Sequence, residues 1–66
     1  MIIILNGDRL ELPGTMTVTD LLRRLDIEPQ RVAVERNLVV VKRTSFDTTE
    51  ITEGDEIEVV NFVGGG

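Results

Sequence analysis

Residues 17–25 read TVTDLLRRL, and the fold is decided here. Val18, Leu21, Leu22 and Leu25 fall at i, i+3, i+4 and i+7, which lines one face of a helix. Thr17 suits the N-cap, and Asp20 three residues later completes something close to a capping box while favouring the positive end of the helix dipole. Arg23 and Arg24 sit at the opposite end, where cations are favoured, and Pro29 lies just past it. No other stretch carries this period. One helix must therefore serve a chain whose remaining apolar runs read as strand.

Upstream, Ile2-Ile3-Ile4-Leu5 is apolar throughout and stops at Asn6-Gly7, the strongest short hairpin signal. Arg9-Leu10-Glu11-Leu12 then alternates as a half-buried strand should, until Pro13-Gly14 ends it. Downstream, Arg31-Val32-Ala33-Val34-Glu35-Arg36 reads as a strand broken by Asn37, and Val39-Val40-Val41 as a short second one. Residues 42–52 read as an irregular loop with room for one helical turn, pinned by Phe46 and Ile51. Glu53-Gly54-Asp55 is a solvated turn, and residues 56–62 form the last strand, with Ile57 and Val59 on one face. The order is ββαβ(β)β. A single helix covers one side of a mixed sheet, and a final strand joining the first in parallel closes its centre. The expected fold class is α+β, a ubiquitin-like β-grasp, with the domain over residues 1–63 and a flexible glycine tail over residues 64–66.

Composition narrows function by exclusion. Sixty-six residues make one domain near the lower limit for an unstapled core. There is no Cys and no His, which removes thiolate and imidazole chemistry, the commonest metal ligand and any disulfide. The expectation is a cytoplasmic protein that is not an enzyme, with no catalytic residue, no metal and no bound cofactor. Twelve acidic residues against seven basic ones give a net charge of −5, a field that repels phosphate backbones. With two Phe and no other aromatic side chain there is little on which bases could stack. Nucleic acid is not an expected partner. The opening run MIIIL is too short to cross a membrane and lacks a basic flank, so no membrane partner is expected. Glu53, Asp55 and Glu58 read as surface charge, and the free chain as a monomer.

The sequence closes on Asn61-Phe62-Val63-Gly64-Gly65-Gly66. Glycine loses the most backbone freedom on ordering, so the three glycines are not there to stabilise the fold. Taken alone it also fits a frayed terminus or a linker scar. The rest of the chain supplies more. Val32-Ala33-Val34-Glu35-Arg36-Asn37 and the closing ITEGDEIEVVNFVGGG together resemble the ThiS family, sulfur carriers of thiamine biosynthesis, and the resemblance spans the whole chain. It departs where the family often places Pro and Trp, since this chain has Val41-Lys42 and Phe46 there.

The resemblance implies a concrete chemistry. A ubiquitin-activating-type adenylyltransferase would consume ATP to convert the Gly66 carboxylate to an acyl adenylate. A sulfur donor, usually a persulfide, would displace AMP and leave a thiocarboxylate, whose sulfur thiazole synthase would take. Physical chemistry agrees, because a carboxylate becomes an acyl donor only once it is given a leaving group. Residues 63–66, fully extended, reach roughly 14 Å, and Gly64 and Gly65 could thread a narrow channel in a partner's active site.

Val60 and Phe62 point away from the Ile57 and Val59 face if the strand alternates. With Ile2 or Ile4 they form either an exposed docking patch or a minor core beneath residues 42–52; both remain open. Glu35, Arg36 and Asn37 match the family but read physically as a turn, and Arg23 and Arg24 as a solvated helix end. Two rivals share the fold: the small sulfur-carrier subunit of molybdopterin synthase, which tends to be longer with a Pro-containing stretch before its tail, and a ubiquitin-like modifier conjugated to lysines. A third, a plain binding module, would not need a terminal glycine.

Overall fold

The computed structural model describes residues 1–61. The helical period yields α1 over Val18–Arg24, with Thr17 at the N-cap. The Thr17 hydroxyl accepts from the Asp20 N–H at 3.1 Å, and the Asp20 carboxylate accepts from the Thr17 N–H at 3.2 Å. The two preceding free amides are satisfied from outside the helix. Val18 donates to the Thr49 carbonyl and Thr19 to that of Phe46, so the 46–49 segment works as a second cap. At the other end Asp26 turns left-handed at φ 59°. Its N–H reaches the Arg23 carbonyl, and the Ile27 N–H reaches that of Leu22. That is a Schellman closure with an aspartate where glycine is usual.

Strands β1 (Ile2–Leu5) and β2 (Asp8–Glu11) form the expected hairpin. Asn6 and Gly7 both take positive φ, 49° and 84°, which a two-residue turn of matching twist requires. Met16–Thr17 is a short β3. After α1 and a 3-10 turn at Pro29–Arg31 come β4 (Val32–Arg36) and β5 (Val39–Val41). These are joined by a second left-handed pair, Asn37 at 52° and Leu38 at 71°. A 3-10 turn at Arg43–Ser45 precedes β6 (Glu50–Ile51), and β7 covers Glu56–Asn61.

Five strands build the main sheet in the order β2-β1-β7-β4-β5. β7 lies parallel to β1, with Ile4 beside Glu56 and Leu5 beside Ile57, and antiparallel to β4 from Val32–Asn61 to Arg36–Ile57. The last strand in sequence is thus central, as expected. β3 and β6 pair antiparallel as a separate ribbon. This ribbon is a finding beyond the sequence reading, which gave residues 42–52 as loop.

Alternation gives the sheet two unlike faces. Ile3, Val32, Val34 and Ile57 face inward and are buried with Val18, Leu21 and Leu22 of α1 and with Leu12, Phe46 and Ile51. Phe46 and Ile51 do pin the 42–52 segment. Leu25 only packs against the edge of this core, so the helix stripe is buried at three of its four positions. The architecture is a mixed sheet with one helix across a face. Leu22→Ala should cost about 2–5 kcal/mol in urea unfolding, a large share of the stability of so small a domain. Gly65→Ala should leave the midpoint nearly unchanged, and equal losses from the two would contradict a division between core and tail.

Candidate functional site

The sequence points to the end of the chain, so the site is built from the strand that leads there. β7 begins at a turn in which the Asp55 N–H donates to the Thr52 carbonyl and Gly54 takes φ 83°. Asp55 itself is buried, at 6% exposure. Its carboxylate accepts from the Thr52 N–H at 2.8 Å, from Arg36 Nε at 2.8 Å and from Asn37 Nδ2 at 3.1 Å. Burial alone would raise this carboxyl. The Thr52, Arg36 and Asn37 donors and the Arg36 charge outweigh it and hold the group below its ordinary value of 3.8.

Read from sequence, Asp55 belonged to a solvated turn and to the surface charge. The structure corrects both readings: the turn exists, but its aspartate is an internal tie. The two segments that carried the family resemblance, around Arg36-Asn37 and around Asp55, are therefore one physical cluster. Glu53 is tied as well, since its carboxylate accepts from the Ile2 N–H at 3.0 Å. Glu58 is exposed on β7.

Asn37 does a second job at the same place. Its N–H donates to the Glu56 carbonyl at 2.8 Å, and its Oδ1 accepts from the Glu56 N–H at 2.9 Å. The residue thus continues the β4 ladder one step past Arg36. Asn6 does the same on the other flank of β7. Its N–H donates to the Ile57 carbonyl at 2.8 Å. Its side chain then accepts from the Val59 N–H at 2.8 Å and donates to the Val59 carbonyl at 3.2 Å.

Val60 is exposed, at 59%, and sits across from Ala33 on the uncovered face of the sheet. It is not packed beneath residues 42–52. Ile4 lies beside Glu56, four residues back along β7, roughly 13 Å away. On this face Val60 stands beside Ala33, and the next row along holds Glu58, Glu35 and Val40, with Val40 two strands away from β7. Glu35, Glu56 and Glu58 interrupt this face. Phe62, Gly64, Gly65 and Gly66 lie outside the described residues. Among the described residues no group of three or more acidic, His or Cys side chains could hold a metal ion, and no helix is long and apolar enough to cross a membrane.

With the geometry in place, comparison with known proteins identifies the family. The ThiS family model matches residues 3–66. The chain belongs to the ThiS family. It is similar to the sulfur carrier protein ThiS of Bacillus subtilis, at 40% identity over 52 residues and 79% of each chain. The crystal structure of a thiamine biosynthesis protein (ThiS) from Geobacter metallireducens superposes with a TM-score of 0.88 at 36% identity, covering both chains in full. A thiazole synthase of Paramagnetospirillum magneticum matches all 66 residues at 39% identity, yet the chain spans only 20% of that protein's length. A second thiazole synthase, from Magnetococcus marinus, is matched over the same share at 44% identity. Membership in the ThiS family and the superposition on the Geobacter protein give the chain the ubiquitin-like fold that its sequence suggested.

Asp55 gives a pH test with a defined sign. Its folded pKa is depressed, so its stabilising contribution is complete above the ordinary value of 3.8 and disappears as pH falls through the folded value. Asp55→Asn should lower unfolding stability by about 1–3 kcal/mol at neutral pH. The gap between variant and wild type, followed by denaturant melts, should shrink as the solution is acidified below that range. A gap that widens in acid would reverse the assignment.

Proposed function

We propose that the Gly66 carboxylate is the reacting group of this carrier and that its sulfur goes to the thiazole of thiamine. The observation that carries the reading is the family match, which runs through the glycines to residue 66. A chain without Cys or His also has no side chain that could hold the sulfur as a thiolate-derived group. In the proposed sequence the Gly66 carboxylate oxygen attacks the α-phosphorus of ATP on a ubiquitin-activating-type adenylyltransferase and expels pyrophosphate. A persulfide then attacks the acyl carbon and expels AMP, and a thiol cleaves the acyl disulfide to leave the thiocarboxylate. Adenylation gives the acyl carbon the leaving group that the free carboxylate lacks, and the persulfide then uses it.

Thiazole synthase is the proposed receiver. What supports it is that proteins of that name carry a segment like this chain across a fifth of their length, 20% in the two matched. The consumption of ATP supports placing the carrier in the cytoplasm. Gly64 and Gly65 are the proposed passage residues, since backbone without Cβ can follow whatever conformation a narrow channel imposes.

Val60 and Phe62 are the proposed docking residues, with Ala33 beside Val60 on the open face. A partner gripping this face would hold the tail at the angle its active site needs. The net charge of −5 would favour encounter with a basic partner surface. Val60→Ala and Phe62→Ala should weaken binding to the activating enzyme chiefly through faster dissociation, whereas Glu58→Lys should mainly slow association at low salt. Stopped-flow binding at two ionic strengths separates these effects, and unchanged dissociation in both alanine variants would remove the docking assignment.

The direct test of the reaction is intact mass. Incubation with ATP, the activating enzyme and a sulfide source should add about 16 Da, the difference between sulfur and oxygen, at the terminus. Deleting Gly66 should abolish the gain and leave the fold intact. Sulfur transfer by the truncated chain would refute the reading, and isopeptide adducts would favour the modifier alternative.

A further inference from the structure

β7 is flanked on its β4 side as far as Asn61, because Val32 pairs with it there. On its β1 side the ladder ends early, at Leu5–Ile57. Beyond that point the strand would present bare backbone on one flank as it runs toward the glycines. The Asn6 carboxamide fills the next position. It satisfies both the N–H and the carbonyl of Val59, at 2.8 and 3.2 Å, across 53 residues of sequence. Donor and acceptor are matched as in a peptide group, so a side chain stands in for one further residue of β1. The left-handed backbone of Asn6, φ 49°, places it there, and the same turn makes the β1–β2 hairpin.

We propose that Asn6 is a positioning residue for the reaction at Gly66: by clamping Val59 it fixes the direction in which the chain leaves the sheet, seven residues before the reacting carboxylate. This role rests on the reaction assigned above. Acyl transfer on a partner's surface is sensitive to small misplacements of the reacting atoms. A strand held on both flanks to Val59 starts the tail from a fixed point. Held on one flank only, it can twist about the β4 ladder. The Asn6–Val59 bonds lie on the β1 flank in the plane of the sheet, so losing them removes no group from the open face on which Val60 would dock. The clamp should therefore act on turnover rather than on affinity.

Asn6→Gly tests this with little disturbance elsewhere, since glycine accepts the positive φ of the hairpin turn. Asn6→Asp keeps an acceptor for the Val59 N–H but sets a carboxylate oxygen against the Val59 carbonyl. Two readouts are needed. In the carrier alone, amide exchange at Val59 should accelerate at least about tenfold in Asn6→Gly, with exchange in α1 unchanged. With the activating enzyme, ATP–pyrophosphate exchange driven by the carrier should lose about tenfold in kcat while KM stays within about twofold. Asn6→Asp should fall between Asn6→Gly and wild type on both. Unchanged Val59 exchange would show that the clamp does not hold the strand. Faster exchange with normal kcat, or a loss confined to KM, would overturn the positioning role. A wild-type carrier that supports no ATP–pyrophosphate exchange would overturn the underlying reaction and the role with it, while Val59 exchange would still report separately on the clamp.

Discussion

The placement of β7 between β1 and β4 is the constraint from which the rest of the structure follows. Neither neighbour pairs with the other, so the five-stranded sheet does not exist until the last strand arrives. Pairing the two ends of the chain closes a loop of nearly the whole domain, an entropic cost that local hydrogen bonds do not meet. What holds β7 is correspondingly non-local. Ile57 lies at the centre of the core against Ile3, Val34 and the helix stripe. Around it, polar side chains finish the ladders that backbone alone leaves short. Asn37 extends β4 at Glu56 and Asn6 extends β1 at Val59. Both asparagines sit at positive φ in two-residue turns, so each turn also supplies a strand partner.

Asp55 belongs to the same arrangement. A buried carboxylate is tolerated only when its oxygens are satisfied, and here a backbone N–H, a guanidinium and a carboxamide meet it. Arg36 and Asn37 lie at the end of β4, so the cluster fastens the start of β7 to the strand it must pair with. In a domain this small the apolar core is limited. A polar tie that specifies register is useful there, because a one-residue slip would turn Ile57 and Val59 outward.

The elements whose signal is local were legible in the sequence. The 17–25 stripe, its Thr17 cap and the Asn6-Gly7 turn each depend on residues within a few positions, and all three form as read. The β3–β6 ribbon was not legible, since two residues per strand carry no period. Asn37-Leu38 was only half legible: asparagine signals a left-handed turn, but leucine at φ 71° does not. Asp55 was misread because its acidic neighbours resemble any solvated turn and its partners lie 18 and 19 residues away. A clue was present, in that the two segments carrying the family resemblance were the two that meet there. The proposed reacting end lies outside the described residues and rests on a different route, through what the composition lacks and through the resemblance.

Within the described residues the core, the caps and the polar ties converge on β7. Among the described residues no helix covers the open face of the sheet, and Glu35, Glu56 and Glu58 break its apolar surface into small pieces around Val60, Ala33 and Val40. Such spacing limits self-association of an uncovered sheet while leaving an apolar contact within a few residues of the tail. Under the proposed reaction at Gly66, a strand clamped at Val59 beside an exposed Val60 suits a contact that is made and then released, because affinity follows the quality of a few contacts more than buried area.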